Sequence, residues 1–207
     1  MVLKICGMTR LTDAVHATHA GATALGFVFW PRSPRYITPE RAAEIIAKLP
    51  AAVTKVGVFV DEPIDSIRAI VAAAHLDVVQ LHGDEPPAYS AAISHPIFRS
   101  MTVADAADVM AAWPAGTPLL LDAADRERRG GTGMKVDWSP AAGLARRRRV
   151  ILAGGLTPEN VAGAIAVVNP YGVDVSSGVE DAPGVKNSAK VTRFLANARD
   201  AFERRAK

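Results

Sequence analysis

Apolar positions fall into eight short runs along the chain, each followed by a glycine-rich or polar turn and then an alanine-rich amphipathic stretch. The runs are LKICG, ALGFVFW, TKVGVFVD, DVVQLHG, PIFRSM, PLLLDA, RVILAGG and GVDVSSG, in chain order. They recur at a spacing of about 24 residues, the length expected of βα units. Each run is almost continuously apolar rather than alternating. That pattern predicts strands buried on both faces in a parallel sheet.

Helix starts support the same count. The tripeptide TPE occurs at Thr38 and again at Thr157. In each, threonine can cap, proline suits the first helical position, and glutamate meets the positive end of the helix dipole. Ala42, Ile45, Ile46 and Leu49 then form one apolar stripe, and Val161, Ile165 and Val168 another. The stretch SPAAGLARRR is the weakest helix, because Gly143 interrupts it. No linker, low-complexity segment or break in composition divides residues 1–207, so a single domain is expected. The expected fold class is α/β, a single (β/α)8 TIM barrel with its active site at the C-terminal ends of the strands. The alternative is an open, doubly wound sheet. It would ordinarily carry a GxGxxG turn after the first strand, and that signature is absent.

Composition narrows the function. A chain of 207 residues, 49% hydrophobic and 22% charged, suits one globular domain. The single cysteine excludes an intramolecular disulfide and fits a reducing compartment. Lys4 interrupts the N-terminal apolar stretch and no run nears the ~18 apolar residues of a membrane span, so neither a signal peptide nor membrane association is expected. A cytoplasmic location follows. The net charge of +3 and pI near 9.2 favour acidic small molecules over polyanions. The run Arg146 to Arg149 lacks interleaved aromatics and reads as a solvated helix end, so no nucleic-acid partner is expected. His16 and His19 stand three apart without an acidic third ligand, and no metal is expected.

In a barrel of this kind the C-terminal strand ends share one mouth. Those ends are Cys6-Gly7, Trp30, Asp61, His82-Gly83, Ser100, Asp122, Gly154-Gly155 and Ser176-Ser177-Gly178. Most are polar, reactive or glycine, although the runs leading to them are greasy. The last two ends suggest a phosphate site. Glycines let backbone amides approach an anion, hydroxyls donate to it, and a helix N-terminus adds partial positive charge. Either loop alone reads as a turn glycine or cap serine; together, after strands seven and eight, they match the frequent phosphate site of such barrels.

Asp122 ends LLLD and is followed by a long polar loop containing GGTG, residues 130–133. Asp122 is either a loop cap or an acid beneath a lid, since excluding water favours the protonated carboxyl. Cys6 is by composition a small buried hydrophobe, but the strand count moves it to the mouth. Thiolate and carboxylic acid, from the first and sixth strands, would suit proton shuttling. Arg35, in PRSPRYI, offers a planar fork for a carboxylate or is a surface arginine in a proline-rich loop. His82 contacts substrate or caps its strand.

The motifs KICGMT, GFVFWPRSPRYI, VGVFVDE, VQLHGDE, LLLDA, GGTG, LAGGLTPENV and VDVSSGVE with PGVKN run the length of the chain. Together they resemble the phosphoribosylanthranilate isomerase family of tryptophan biosynthesis. The resemblance implies a (β/α)8 fold, no cofactor, and an Amadori rearrangement of a small phosphorylated substrate by a monomer or homodimer. It further implies Cys6 as general base, Asp122 as general acid and Arg35 as holder of the anthranilate carboxylate. Gly155, Ser177 and Gly178, with the adjoining Gly154 and Ser176, match the phosphate cradle. Gly131 and Thr132 match the loop over the substrate, and His82 and Asp174 fall near it. One departure is Val136, where many members carry phenylalanine. Rival readings are another phosphate-binding barrel of tryptophan or histidine biosynthesis and a non-catalytic phosphate-binding barrel. The histidine-pathway aldose isomerase would carry aspartate in place of Cys6, and the non-catalytic barrel has no use for both Cys6 and Asp122.

Overall fold

A computed structural model describes residues 1–122 and 138–205. Eight parallel strands alternate with helices: β1 Val2–Ile5, α1 Leu11–His19, β2 Ala24–Val28, α2 Pro39–Ile46, β3 Thr54–Phe59, α3 Ile64–Ala74, β4 Val78–Leu81 and α4 Tyr89–Ala92. The series continues with β5 Ile97–Thr102, α5 Ala106–Ala112, β6 Leu119–Asp122, α6 Ser139–Ala145, β7 Val150–Ala153, α7 Val161–Val168 and β8 Gly172–Val175. A hairpin of β9 Glu180–Ala182 and β10 Val185–Lys186 precedes the last helix, α8 Ser188–Arg205. The eight strands close in chain order, β8 pairing with β1, so the barrel replaces the open-sheet alternative.

The burial pattern explains the greasy strands. Every residue of β2 is buried, as both faces of the sheet are covered. A large apolar cluster, including Leu3, Ile5, Phe27, Leu119 and Leu121, packs between the sheet and the helices. Alternate residues point inward, where Ala24, Val56, Val78, Phe98, Leu120 and Ile151 fill the barrel. Among the described residues no helix is long and apolar enough to cross a membrane.

Helix ends agree with the sequence in one case and differ in another. Thr38 caps α2 as expected, its Oγ1 accepting the Arg41 N–H at 3.3 Å. The helix begun at the second TPE starts at Val161 instead of Pro158. Asn160 intervenes: its Oδ1 accepts the Thr157 N–H at 2.7 Å and its Nδ2 donates to the Gly155 carbonyl at 2.9 Å. The side chain thus folds the segment into a turn and delays the helix. The element after β4 is only one turn long, because Pro86 and Pro87 take up its approach. Of the arginine run, Arg148 is no solvated residue: it donates to the carbonyls of Met110, Pro114 and Thr117.

Candidate active site

Cys6 directly follows β1, its N–H bonded to the Val175 carbonyl at 2.8 Å, and its side chain is buried. Asp122 is the last residue of β6, in register with Thr102 on one side and Ala153 on the other. Both line one cavity of about 420 Å³ at the C-terminal end of the barrel. That volume suits a small molecule. Arg35, His82 and Asp174 line the same cavity, and so do Gly154, Gly155, Ser176, Ser177 and Gly178. Gly131 and Thr132, like Val136, lie outside the described residues.

The two glycine loops are built against each other. Gly154 and Gly155 have φ values of 82° and 66°, a region that L side chains rarely adopt. Gly178 is the middle residue of a short 3-10 turn, Ser177–Val179, after β8. A Cβ on Gly178 would stand 1.9 Å from the carbonyl oxygen of Leu156, so the second loop closes on the first only because this residue has none. Ser176 Oγ donates to the Cys6 carbonyl at 3.1 Å and ties the β8 loop to the end of β1.

Arg35 does grip a carboxylate, and that carboxylate belongs to the chain itself. Its Nε and Nη2 donate to Glu180 at 2.9 and 2.6 Å, and Lys186 Nζ holds the same carboxylate at 2.7 Å. Burial works against the charge of Glu180, but the hydrogen bonds from Arg35 and Lys186 outweigh it and hold the carboxyl below its ordinary range. Arg35 is therefore not a loose surface arginine. Its fork is oriented from the β9–β10 hairpin with the side chain 21% exposed beside the cavity. His82 is positioned in a similar way, with Nδ1 held by Ser100 Oγ at 2.8 Å and Gln80 Nε2 at 3.0 Å.

Ser100 does not end its strand as the sequence suggests, because β5 runs on to Thr102, and Asp61 stands two residues beyond the end of β3; neither lines the cavity. Asp61 Oδ1 accepts the Asp84 N–H, and its own N–H bonds to the buried Glu85 carboxylate, which latches two loops together. His16 serves packing: Nε2 meets the Ser188 carbonyl and Thr192 Oγ1 on α8, each at 3.0 Å.

Sequence reasoning missed the charged residues behind the site. Lys4 is fully buried in β1, opposite Asp174 in the β1–β8 register, with Nζ 3.0 Å from Asp174 Oδ1. Burial alone would lower its pKa, but Asp174 and Cys6 raise it above the ordinary lysine value. Lys186 and Glu180 were also overlooked. The available signal was a lysine inside an otherwise apolar strand, since a buried charge needs a partner.

A family model described as N-(5'phosphoribosyl)anthranilate (PRA) isomerase matches residues 3–197. The chain belongs to this family. A phosphoribosylanthranilate isomerase of Pelobacter propionicus is 46% identical over 200 residues, covering 96% of this chain and 95% of the relative. The phosphoribosyl anthranilate isomerase structure from Thermotoga maritima superposes with a TM-score of 0.89 at 42% identity, covering 97% of this chain and all of the other. Another structure of a phosphoribosyl anthranilate isomerase, in complex with reduced 1-(o-carboxyphenylamino)-1-deoxyribulose 5-phosphate, gives 0.86 at 40% identity, covering 97% and 100%. Among phosphoribosylanthranilate isomerases, the chain thus matches over nearly its whole length in both sequence and fold.

Proposed function

We propose that this barrel, acting as one domain, isomerises N-(5'-phosphoribosyl)anthranilate to 1-(2-carboxyphenylamino)-1-deoxyribulose 5-phosphate in tryptophan biosynthesis, with Cys6 as base and Asp122 as acid. The supporting observation is one cavity lined by Cys6, Asp122, both glycine loops and Arg35. The loops after β7 and β8 bind the phosphate through backbone N–H groups and Ser177, and the Nη1 edge of Arg35, which Glu180 leaves open, receives the anthranilate carboxylate. Those two anchors orient the sugar between the acid and the base.

Asp122, protonated, gives its proton to the furanose ring oxygen as the C1–O bond breaks, and the nitrogen lone pair forms the imine. Cys6, as thiolate, removes the proton from C2. The electron pair moves to give the enolamine, which tautomerises to the ketone. The two groups need opposite protonation states at one pH, so their surroundings must differ. His82 and Asp174 stand beside the sugar as polar contacts. No metal or cofactor enters any step. We place the protein in the cytoplasm as a monomer or homodimer; a solved Thermotoga maritima relative is described as dimeric.

The purified chain should consume the anthranilate-type fluorescence of its substrate without added metal or nucleotide. Fluorescence left unchanged where a family relative turns over would overturn the assignment. Cys6→Ala and Asp122→Asn should each reduce turnover at least about a hundredfold with the fold retained. Near-full activity in either variant removes that residue from its role.

A further inference from the structure

Lys4 carries a full charge into the interior of the barrel, and the proposed reaction has given it nothing to do. A charge buried to 0% exposure in a strand is costly unless its surroundings use it. Asp174 accounts for one side of the ammonium, at 3.0 Å. The other side faces Cys6. A Cβ built on Gly26 would lie 2.7 Å from Cys6 Sγ and 3.0 Å from Lys4 Nζ, which puts sulfur and nitrogen within ion-pairing reach. Gly26 is the gap in β2 that lets the two meet.

The wider set of charges points the same way. Arg35 lines the same cavity as Cys6, and it shares the single carboxylate of Glu180 with Lys186. Lys4, Arg35 and Lys186 are thus three cations set against Asp174 and Glu180. Behind them, the Asp13 carboxylate is gripped by Arg10, also accepts from Thr12 Oγ1, and takes the backbone N–H of Lys186. Across the cavity, Asp122 counts as uncharged only because its proposed role as acid requires the proton, and His82 is tied to Ser100 and Gln80. The cluster lacks one negative charge, and the group at its centre able to supply it is the thiol.

We propose that Lys4 is a positioning residue for the base: its ammonium, anchored by Asp174, stabilises the thiolate of Cys6. This rests on the reading of Cys6 as base, but it can be tested without turnover. Because the chain has one cysteine, the ultraviolet absorbance of the thiolate and the rate of alkylation by iodoacetamide both report Cys6 alone.

In the substrate-free protein near neutrality, Lys4→Met should lower the thiolate absorbance and slow alkylation by about tenfold relative to wild type, and Lys4→Arg should recover part of the loss. Asp174→Asn should change both readouts the other way, because the ammonium then faces the sulfur unopposed. The acid limb of kcat/KM should follow the thiolate in every variant. No thiolate absorbance in the wild type near neutrality would overturn the proposal even if Lys4→Met does not fold. So would a folded Lys4→Met with unchanged absorbance and alkylation, or a loss of thiolate in Asp174→Asn. The expected changes in a protein without isomerase turnover would support the Lys4 contact and count against the reaction.

Discussion

Replacing Gly178 with alanine should damage substrate binding. The new Cβ would lie 1.9 Å from the carbonyl oxygen of Leu156. Carbon and carbonyl oxygen rest at about 3.3 Å, so one loop must retreat by more than ~1 Å. Leu156 is only 2% exposed and belongs to the main core cluster, so the strain cannot be relieved by swinging it outward. The retreat opens the junction between the β7 and β8 loops, where Gly155 and Ser177 sit. Overpacking of this kind costs about 1–3 kcal/mol, or roughly 2–12 °C in Tm for a domain of this size. A displacement of ~1 Å in an anchor is worth up to about a hundredfold in rate.

The assay is steady-state turnover followed by substrate fluorescence, with KM and kcat separated, alongside thermal unfolding. Gly178→Ala should raise KM and lower kcat/KM by about a hundredfold. Gly163→Ala is the control: it lies on the exposed face of α7, where an added Cβ meets nothing within 4 Å among the described residues. That change should leave KM alone and stabilise by about 0.5–1 kcal/mol, because alanine is the better helix former. Wild-type KM and Tm in Gly178→Ala would refute the claim that the two loops are locked by this close approach.

Other substitutions probe the base and the arginine. Gly26→Ala should push the sulfur of Cys6 from its place and cut kcat by roughly a hundredfold, with KM moving less; equal effects on both would point to general distortion. Glu180→Gln should loosen Arg35 and raise KM at neutral pH, measured against a substrate analogue without the ring carboxylate, whose KM should not change. The same variant should flatten the acid limb of stability. Glu180 titrates lower in the folded chain than in the unfolded one, so its contribution is complete above the unfolded value of about 4.3 and is lost as pH falls through the folded value. An unchanged acid limb in urea denaturation against pH would contradict this.

What could be read from the sequence follows from what local patterning encodes. A strand buried on both faces is an apolar run wherever it sits, so all eight strands were legible before any partner was known. Once the runs are strands of a closed barrel, their last residues share a mouth by geometry. This is why Cys6, Asp122 and both glycine loops could be placed on one cavity from strand ends alone. Errors came where a side chain competes with the backbone. Asn160 delays α7 by making its own turn, a choice that a cap rule based on Thr157 does not contain.

The charges behind the cavity were harder to read, because their partners are brought together only when the ring closes. Lys4 and Asp174 are adjacent only because β8 pairs with β1, and Arg35 meets Glu180 only through the hairpin that follows β8. Yet the first pair leaves a trace in the apolar pattern of the strands. A lysine in VLKI and an aspartate in GVDV are the polar interruptions of two strands otherwise apolar throughout. Barrel closure makes the first and last strands neighbours, so two such interruptions in those two strands are candidates for one buried pair. A residue that breaks a strand's apolar run at such cost is a better guide to the chemistry than the reactive group beside it. Cys6 alone reads as an inert core thiol; in the proposed reaction, the ammonium two residues before it is what fits that thiol to serve as base.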